Sequence, residues 1–338
     1  MPTIYTLSVI VPVYNSASTL TACLEALLEQ DFNPFELIIV DDGSTDSTLK
    51  VAKSFTSRGI KVISTSHQGA AVARNRGVME AQGNIILFTD ADCTPVPNWV
   101  SMMAAGLIAG IEKGQLENVR VVGAKGVYAT KQKGLVARFV QLEFEYRYIR
   151  LAKQPYLEFV DTYSAAYQRK ALLGCGGFDP SFPGAIVEDA ELAWRLASQG
   201  YRMVFLPAAQ VGHTHVSTIS AYFRRKFRIG YWRVAVYGRH PERLANDSHT
   251  SRAAKIQMAL ISAGICIGLL NLSLKLVGAK KASAIAKNLT VWLAFLFYAS
   301  ASPFLIHSWK IDRVATGAAL YLIPVRALAF SFGAIGGW

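Results

Sequence analysis

Cysteine is scarce: four residues (Cys23, Cys93, Cys175, Cys266) are spread over 338, with no CxxC pair. That spacing excludes a disulfide lattice or a thiolate zinc cluster as the device that holds the fold, and a chain of this length can bury a core without either. A reducing compartment is the simplest setting. Ile4 to Val13 reads as a buried strand rather than a cationic leader with an apolar centre, so the N-terminal part is expected in the cytoplasm. GxGxxG and GxxxxGK[ST] are both missing, which removes the fingerprints of a dinucleotide-binding fold and of a P-loop ATPase. Charge is also low, at 17% of residues against a usual share of about 25%. With 52% hydrophobic residues, disorder is excluded and some apolar surface is expected to face something other than water.

The net charge of +12 suggests a nucleic-acid binder until its distribution is read. Residues 1–221 hold 19 basic and 20 acidic side chains, whereas residues 222–338 hold 16 basic and only 3 acidic. The excess therefore lies entirely in the most apolar third, and no nucleic-acid partner is expected. Ile256–Gly278 and Ala315–Gly337 carry one charge each (Lys275 and Arg326), and Asn288–Ile306 carries none. Each is near the roughly 20 residues that cross a bilayer as a helix, although Pro303 and Pro324 interrupt the second and third. A basic stretch from Arg224 to Lys255 precedes them, as expected beside anionic lipid on a cytoplasmic face. The expected organisation is a soluble domain over 1–221, a basic juxtamembrane segment over 222–255 and a membrane region of two to three helices over 256–338. This places the chain in the inner or cytoplasmic membrane, with its soluble domain facing the cytoplasm.

In the first ninety residues, strand-like runs alternate with helical ones. Leu7–Val13 leads to Ser18–Glu29, Phe35–Val40 to Ser47–Phe55, and Ile60–Ser64 to Ala70–Ala81, with Asn84–Thr89 ending in an acidic turn. Such alternation predicts an α/β domain, a mostly parallel sheet flanked by helices, with ligands gathering at the carboxyl ends of the strands. Those ends carry Pro12, Val13, Tyr14 and Asn15; then Asp41, Asp42 and Gly43; then His67 to Gly69 with Arg74; and finally Asp90 and Asp92.

Ser8-Val-Ile-Val-Pro-Val-Tyr-Asn15, Val40-Asp-Asp-Gly-Ser-Thr-Asp46, Gly69 with Ala73-Arg-Asn75, and Thr89-Asp-Ala-Asp92 occur in the order found in glycosyltransferase family 2, which this chain resembles. Gly176-Gly-Phe-Asp179 and Glu188-Asp189 extend the resemblance to about residue 230. It implies the GT-A nucleotide-diphospho-sugar transferase fold and inverting transfer of a sugar from a nucleoside-diphosphate donor. A departing diphosphate gathers negative charge, which a divalent cation can stabilise, and carboxylate oxygens suit Mg2+ or Mn2+. By the resemblance, Asp92 ligates the metal with Asp90 nearer the ribose, and Pro12, Tyr14 and Asp42 line the nucleoside pocket. Arg74 is a candidate contact to the nucleotide or diphosphate, and Asp189, beside Glu188, is the candidate base for an acceptor hydroxyl. His213 and His215, after a short strand over Met203–Leu206, are candidates for a further metal ligand, His213 the better placed.

The processive synthases of this family carry QxxRW, but Phe223–Trp232 has no glutamine at that place. The whole chain best resembles members of the exopolysaccharide or succinoglycan type, which implies transfer of one sugar to a lipid-linked saccharide, with membrane lipid as a second partner. A polyprenyl-phosphate acceptor is the alternative. A sugar nucleotidyltransferase would need a glycine-rich, basic N-terminal loop that Val9–Asn15 does not supply, and a non-catalytic saccharide-binding membrane protein would not need the acidic motifs. Lys131–Lys153 mixes aromatic and basic residues at helical spacing and suggests no role.

Overall fold

The computed structural model describes residues 5–337 except 183, 185, 245, 246, 248 and 249. In chain order the elements are β1 (Leu7–Val13), α1 (Ala17–Leu28), β2 (Glu36–Asp42), α2 (Thr48–Ser54), β3 (Lys61–Thr65), α3 (Ala70–Glu80), β4 (Ile85–Thr89) and β5 (Cys93–Pro95). There follow α4 (Trp99–Leu116), β6 (Arg120–Ala129), α5 (Leu135–Ala152), β7 (Ser164–Gln168), α6 (Arg169–Gly174), α7 (Glu188–Ser198) and β8 (Tyr201–His213). The chain ends in α8 (Ile219–Arg239), α9 (Arg252–Leu276), α10 (Lys280–Ile311) and α11 (Arg313–Gly337). Ile4, placed in the first strand by sequence, lies outside the described residues.

The chain divides into two compact units: residues 1–132 with 147–215, and residues 133–146 with 216–338. Helix α5 contributes to both, its first part to the second unit and its last turns to the first.

The first unit is a mixed eight-stranded sheet in the order β3-β2-β1-β4-β7-β6-β8-β5. Strands β1 to β4 pair in parallel, as their βα alternation predicts; the apolar runs of β1, β2 and β4 are buried, whereas β3 is the partly exposed edge strand. Antiparallel pairing enters where β7 joins β4 and β6, and where short β5 joins β8. The last strand differs from the sequence expectation. It spans Tyr201–His213, not Met203–Leu206, so His213 is its final residue rather than part of a following loop. A strand seeded by four apolar residues is extended because β6 and β5 satisfy its backbone on either side, up to Cys93 opposite His213.

The second unit packs α8 to α11 with the first part of α5 around Phe139, Tyr222, Phe297, Phe304 and Leu322. Among the described residues three helices, α9, α10 and α11, are long and apolar enough to cross a membrane. Their two internal prolines each leave a backbone carbonyl without its helical donor. Ser302 donates to the Ala299 carbonyl at 2.8 Å, four residues before Pro303, and Tyr298 donates to the Leu320 carbonyl at 2.7 Å, four before Pro324. Both groups are thus satisfied without water, as hydrocarbon requires. Arg326, the lone charge of the last apolar segment, is paired to Glu143 at 2.5 Å and to Gln257 at 2.7 Å. Lys226 meets the same carboxylate at 2.9 Å.

Glycine permits a close helix contact in this unit. A Cβ on Gly333 would overlap the Phe227 carbonyl oxygen, so α8 and α11 approach at backbone distance there. Gly333→Val is therefore expected to cost about 1–3 kcal/mol through overpacking. The check is the melting temperature in detergent; an unchanged value would show that the two helices do not pack closely.

Candidate active site

The glycines and asparagines of the sequence motifs knit successive strand ends together. Asn15, at φ 48°, accepts from the Thr45 amide at 2.8 Å and the Asp46 amide at 3.3 Å, and its own amide donates to Ser44 Oγ at 3.0 Å. This joins the first motif to the second. Gly43 is in the left-handed region at φ 69°, where a Cβ would stand 2.6 Å from the His67 nitrogen. Asp42 joins the second motif to the third, because its two oxygens accept the Gln68 and Gly69 amides at 2.8 Å each. His67 Nδ1 also lies 2.9 Å from Asp42 Oδ2, and the ring stacks on Tyr14 with centroids 4.0 Å apart. Tyr14 is 42% exposed, so an aromatic face remains open beside these turns. Pro12 sits in β1 opposite Val40.

Asp41 stands beside Asp42 at the end of β2. It is buried, accepts from Ser64 Oγ at 3.3 Å, and keeps its other oxygen without a hydrogen-bond partner. A buried orphan acceptor is costly, and it is a position where a ligand's donor would be stabilised.

Arg74 is the centre of the arrangement. It is 1% exposed, and its guanidinium reaches Glu188 Oε1 at 2.6 Å and Asp90 Oδ1 at 3.1 Å. Two acidic motifs about 100 residues apart are thus held by one fork. Burial opposes the charge on Arg74, but Glu188 and Asp90 together hold its pKa above the ordinary arginine value. The neighbouring Asn75 anchors the other side. Its amide nitrogen donates to the Phe178 carbonyl at 2.7 Å, and its oxygen accepts the Phe178 amide at 2.8 Å. Gly177, at φ 70°, is needed because a Cβ there would stand 2.5 Å from Asn75 Oδ1. The Gly-Gly-Phe-Asp turn is therefore shaped to dock on Ala-Arg-Asn.

The Glu188-Asp189 pair divides in environment. Glu188 is buried, with one oxygen on Arg74 and the other accepting the Ile186 amide at 2.7 Å. Asp189 is half-buried, and its carboxylate accepts the Ala190 amide at 2.7 Å. Its carboxyl is pushed well above the usual carboxylate range by burial, then by the negative fields of Glu188 and Asp161, with Arg74 pulling the other way. Glu188 is thus engaged through both oxygens, and Asp189 is the more accessible carboxylate of the pair.

On the opposite flank, Asp92 is 47% exposed on its side chain and lies 3.6 Å from His213 Nδ1. Asp90 is raised by burial, offset by Arg74 and reinforced by Asp92. His213 is 8% exposed, and neither ring nitrogen has a hydrogen-bond partner. Two orphaned imidazole nitrogens beside an exposed carboxylate fit a cation between Asp92 and His213, with Asp90 adjacent. His215 instead lies edge-on to Tyr128 and is fixed through its backbone to Gln132. Behind His213, the Tyr128 ring stacks on it at 4.3 Å and on Tyr163 at 3.4 Å. Tyr163 in turn meets Lys125 at 3.2 Å, and Asp161 is shared by Lys125 and Arg147. Burial lowers Lys125 to about 8. This network was missed, although a lysine inside the apolar run Val121–Val127 was a visible signal.

The mixed α/β sheet, with acidic residues at its strand ends and a second acidic motif clasped by a buried arginine, has the architecture of a GT-A fold. Residues 8–175 match the family model described as Glycosyl transferase family 2, and this segment is a glycosyltransferase family 2 domain. The chain is 25% identical over 242 residues to the glycosyltransferase AglE of Haloferax volcanii, an alignment covering 68% of this chain and 73% of that protein. It is 40% identical over 88 residues to the uncharacterized glycosyltransferase YibD of Escherichia coli, covering 25% of this chain and only 26% of YibD. The mannosyltransferase PcManGT from Pyrobaculum calidifontis, solved with GDP-Man and Mn2+, shares the fold at 19% identity, with a TM-score of 0.60 over 99% of this chain and 88% of that one.

Proposed function

We propose that this protein is a membrane-attached, cation-dependent inverting glycosyltransferase that moves one sugar from a nucleoside-diphosphate donor to a hydroxyl of a lipid-linked saccharide. The observation that supports the reading most is the Arg74 fork, which joins Asp90 and Glu188 through one side chain. The Mn2+ and GDP-Man bound to PcManGT are consistent with a divalent cation and a sugar nucleotide here.

Asp92 and His213, with Asp90 beside them, would hold Mg2+ or Mn2+, which supplies positive charge to a diphosphate leaving group. The open Tyr14 face and the Asp42-braced turns, with Pro12 at the strand end, form the nucleoside side. Asp189 takes the proton from the attacking hydroxyl, and Arg74, through Glu188, fixes the first turn of the helix that carries it. The three apolar helices and the basic α8 keep this domain at the cytoplasmic membrane, where a lipid-linked acceptor of the exopolysaccharide type is presented.

Thermal stabilisation by UDP-, GDP- and dTDP-sugars with Mn2+ tests the reading, since a ligand bound only by the native state raises its apparent stability. Asp92→Ala is expected to abolish the Mn2+-dependent part of that stabilisation and to abolish transfer. Equal stabilisation of wild type and Asp92→Ala would contradict the cation assignment.

A further inference from the structure

The cation site contains a ligand that a hard metal does not require. Cys93 Sγ lies 3.7 Å from Asp92 Oδ1, the same oxygen that is 3.6 Å from His213 Nδ1. The ligand atoms of all three side chains fall within 4.8 Å of one another. Cys93 and His213 are direct partners in the β5–β8 ladder, so they project to one face and the strand pairing fixes their spacing. The His213 nitrogens are buried and lack partners.

These separations discriminate between metal classes. With zinc-class bond lengths of about 2.3 Å to sulfur and about 2.0–2.1 Å to nitrogen or oxygen, tetrahedral angles set neighbouring ligands roughly 3.4–3.6 Å apart. An octahedral Mg2+ shell at about 2.0–2.1 Å, with right angles, sets them roughly 2.9–3.0 Å apart. The observed 3.6 and 3.7 Å lie at or just beyond the first range and well beyond the second, so they are nearer the zinc-class spacing. A thiol beside an imidazole is also a donor set that favours zinc over magnesium or calcium.

We propose that Asp92, Cys93 and His213 form a tetrahedral site for a thiophilic divalent cation of the zinc class, which competes with the hard cation of the donor complex and so inhibits transfer reversibly. The proposal rests on the reading of Asp92 and His213 as the ligands of that hard cation. On binding, the S–H bond of Cys93 breaks, its proton leaves to solvent, and a sulfur–metal bond forms with no change of oxidation state. A water completes the four-coordinate shell. Asp92 and His213 are then committed to the wrong ion, and a chelator restores them.

The test is titration of the purified full-length protein with Co2+, which reports a tetrahedral site by intense visible absorption and a thiolate ligand by a charge-transfer band in the ultraviolet. Mn2+ uptake is followed separately by loss of the free-ion resonance signal. The expected result is both cobalt bands in the wild type, loss of the charge-transfer band in Cys93→Ser and Cys93→Ala, and displacement of bound Mn2+ by Zn2+. Melting curves establish that the two variants are folded. A charge-transfer band that persists in both variants assigns the thiolate to another cysteine and overturns the proposal. Mn2+ uptake without cobalt bands in the wild type also overturns it while leaving the hard-cation reading intact; failure to take up either ion removes both.

Discussion

Asp189→Asn is expected to lower sugar transfer by about 10²–10⁴-fold, the usual contribution of a positioned general base, while leaving donor affinity unchanged. The same substitution is expected to raise the melting temperature. In the folded protein the Asp189 carboxyl is raised by burial, Glu188 and Asp161 above its unfolded value. Such a group contributes stability that is fully present below the unfolded pKa of about 3.9, and that contribution is lost as pH rises through the folded pKa. At neutral pH an ionised Asp189 is therefore a net cost, which asparagine removes. Each kcal/mol recovered corresponds to about 2–4 °C in a domain of this size. Wild-type transfer should fall on acidification at a pH well above the ordinary carboxylate range, because the base must be unprotonated to act. Parental transfer rates in Asp189→Asn, or a lower melting temperature, would contradict the assignment.

Arg74→Ala is expected to produce the largest loss of stability of any substitution in the site. It removes the shared partner of Asp90 and Glu188, and Glu188 is buried. Breaking a buried ion pair on one side costs about 3–5 kcal/mol, because the remaining charge is left uncompensated. That corresponds to a fall on the order of 10 °C in melting temperature. The Phe178 ring, 5.6 Å from the guanidinium carbon, loses a cation contact as well. Arg74→Met combined with Glu188→Gln should recover part of the loss, since the buried carboxylate goes with its partner. A single-variant melting temperature equal to wild type would show that the fork is ornamental.

Much of this site was legible in the sequence because its residues sit at strand ends. A parallel strand reads as an apolar run, and whatever follows it lies at the sheet's carboxyl edge, so Tyr14, Asp42, Asp90 and Asp92 were placed by counting from the runs. What joins them was not legible. Nothing in the local sequence says that Arg74 meets Glu188, 114 positions later, because that contact depends on a turn at Gly176 and Gly177 docking on Asn75. Cys93 carried no signal either. Its neighbour across the ladder is set by β5 and β8, and β5 is only three residues long. Asp42 shows how one residue type serves two readings: it was singled out for the nucleoside, and its oxygens brace the Gln68 and Gly69 amides that shape that side of the cleft.

In the C-terminal unit, hydropathy made the three long helices legible, while their polar ties were hidden. Arg326 reads in sequence as an interruption of an apolar span. In the fold it is tied to Glu143 and Gln257, which come from two other helices. The Lys131–Lys153 stretch had no assigned role because its aromatic and basic pattern does not reveal that one helix serves two units. Arg138 pairs with Asp312 at 2.6 Å in the second, and Arg147 pairs with Asp161 at 2.9 Å in the first.

Hydrogen exchange followed by mass spectrometry, with and without Mn2+ and a stabilising sugar nucleotide, asks most directly whether one ligand engages both acidic motifs. Slowed exchange is expected together in the segments around 88–95 and 186–195, and it should disappear from both in Asp92→Ala. Protection confined to one segment would mean that the two acidic motifs do not border a common site.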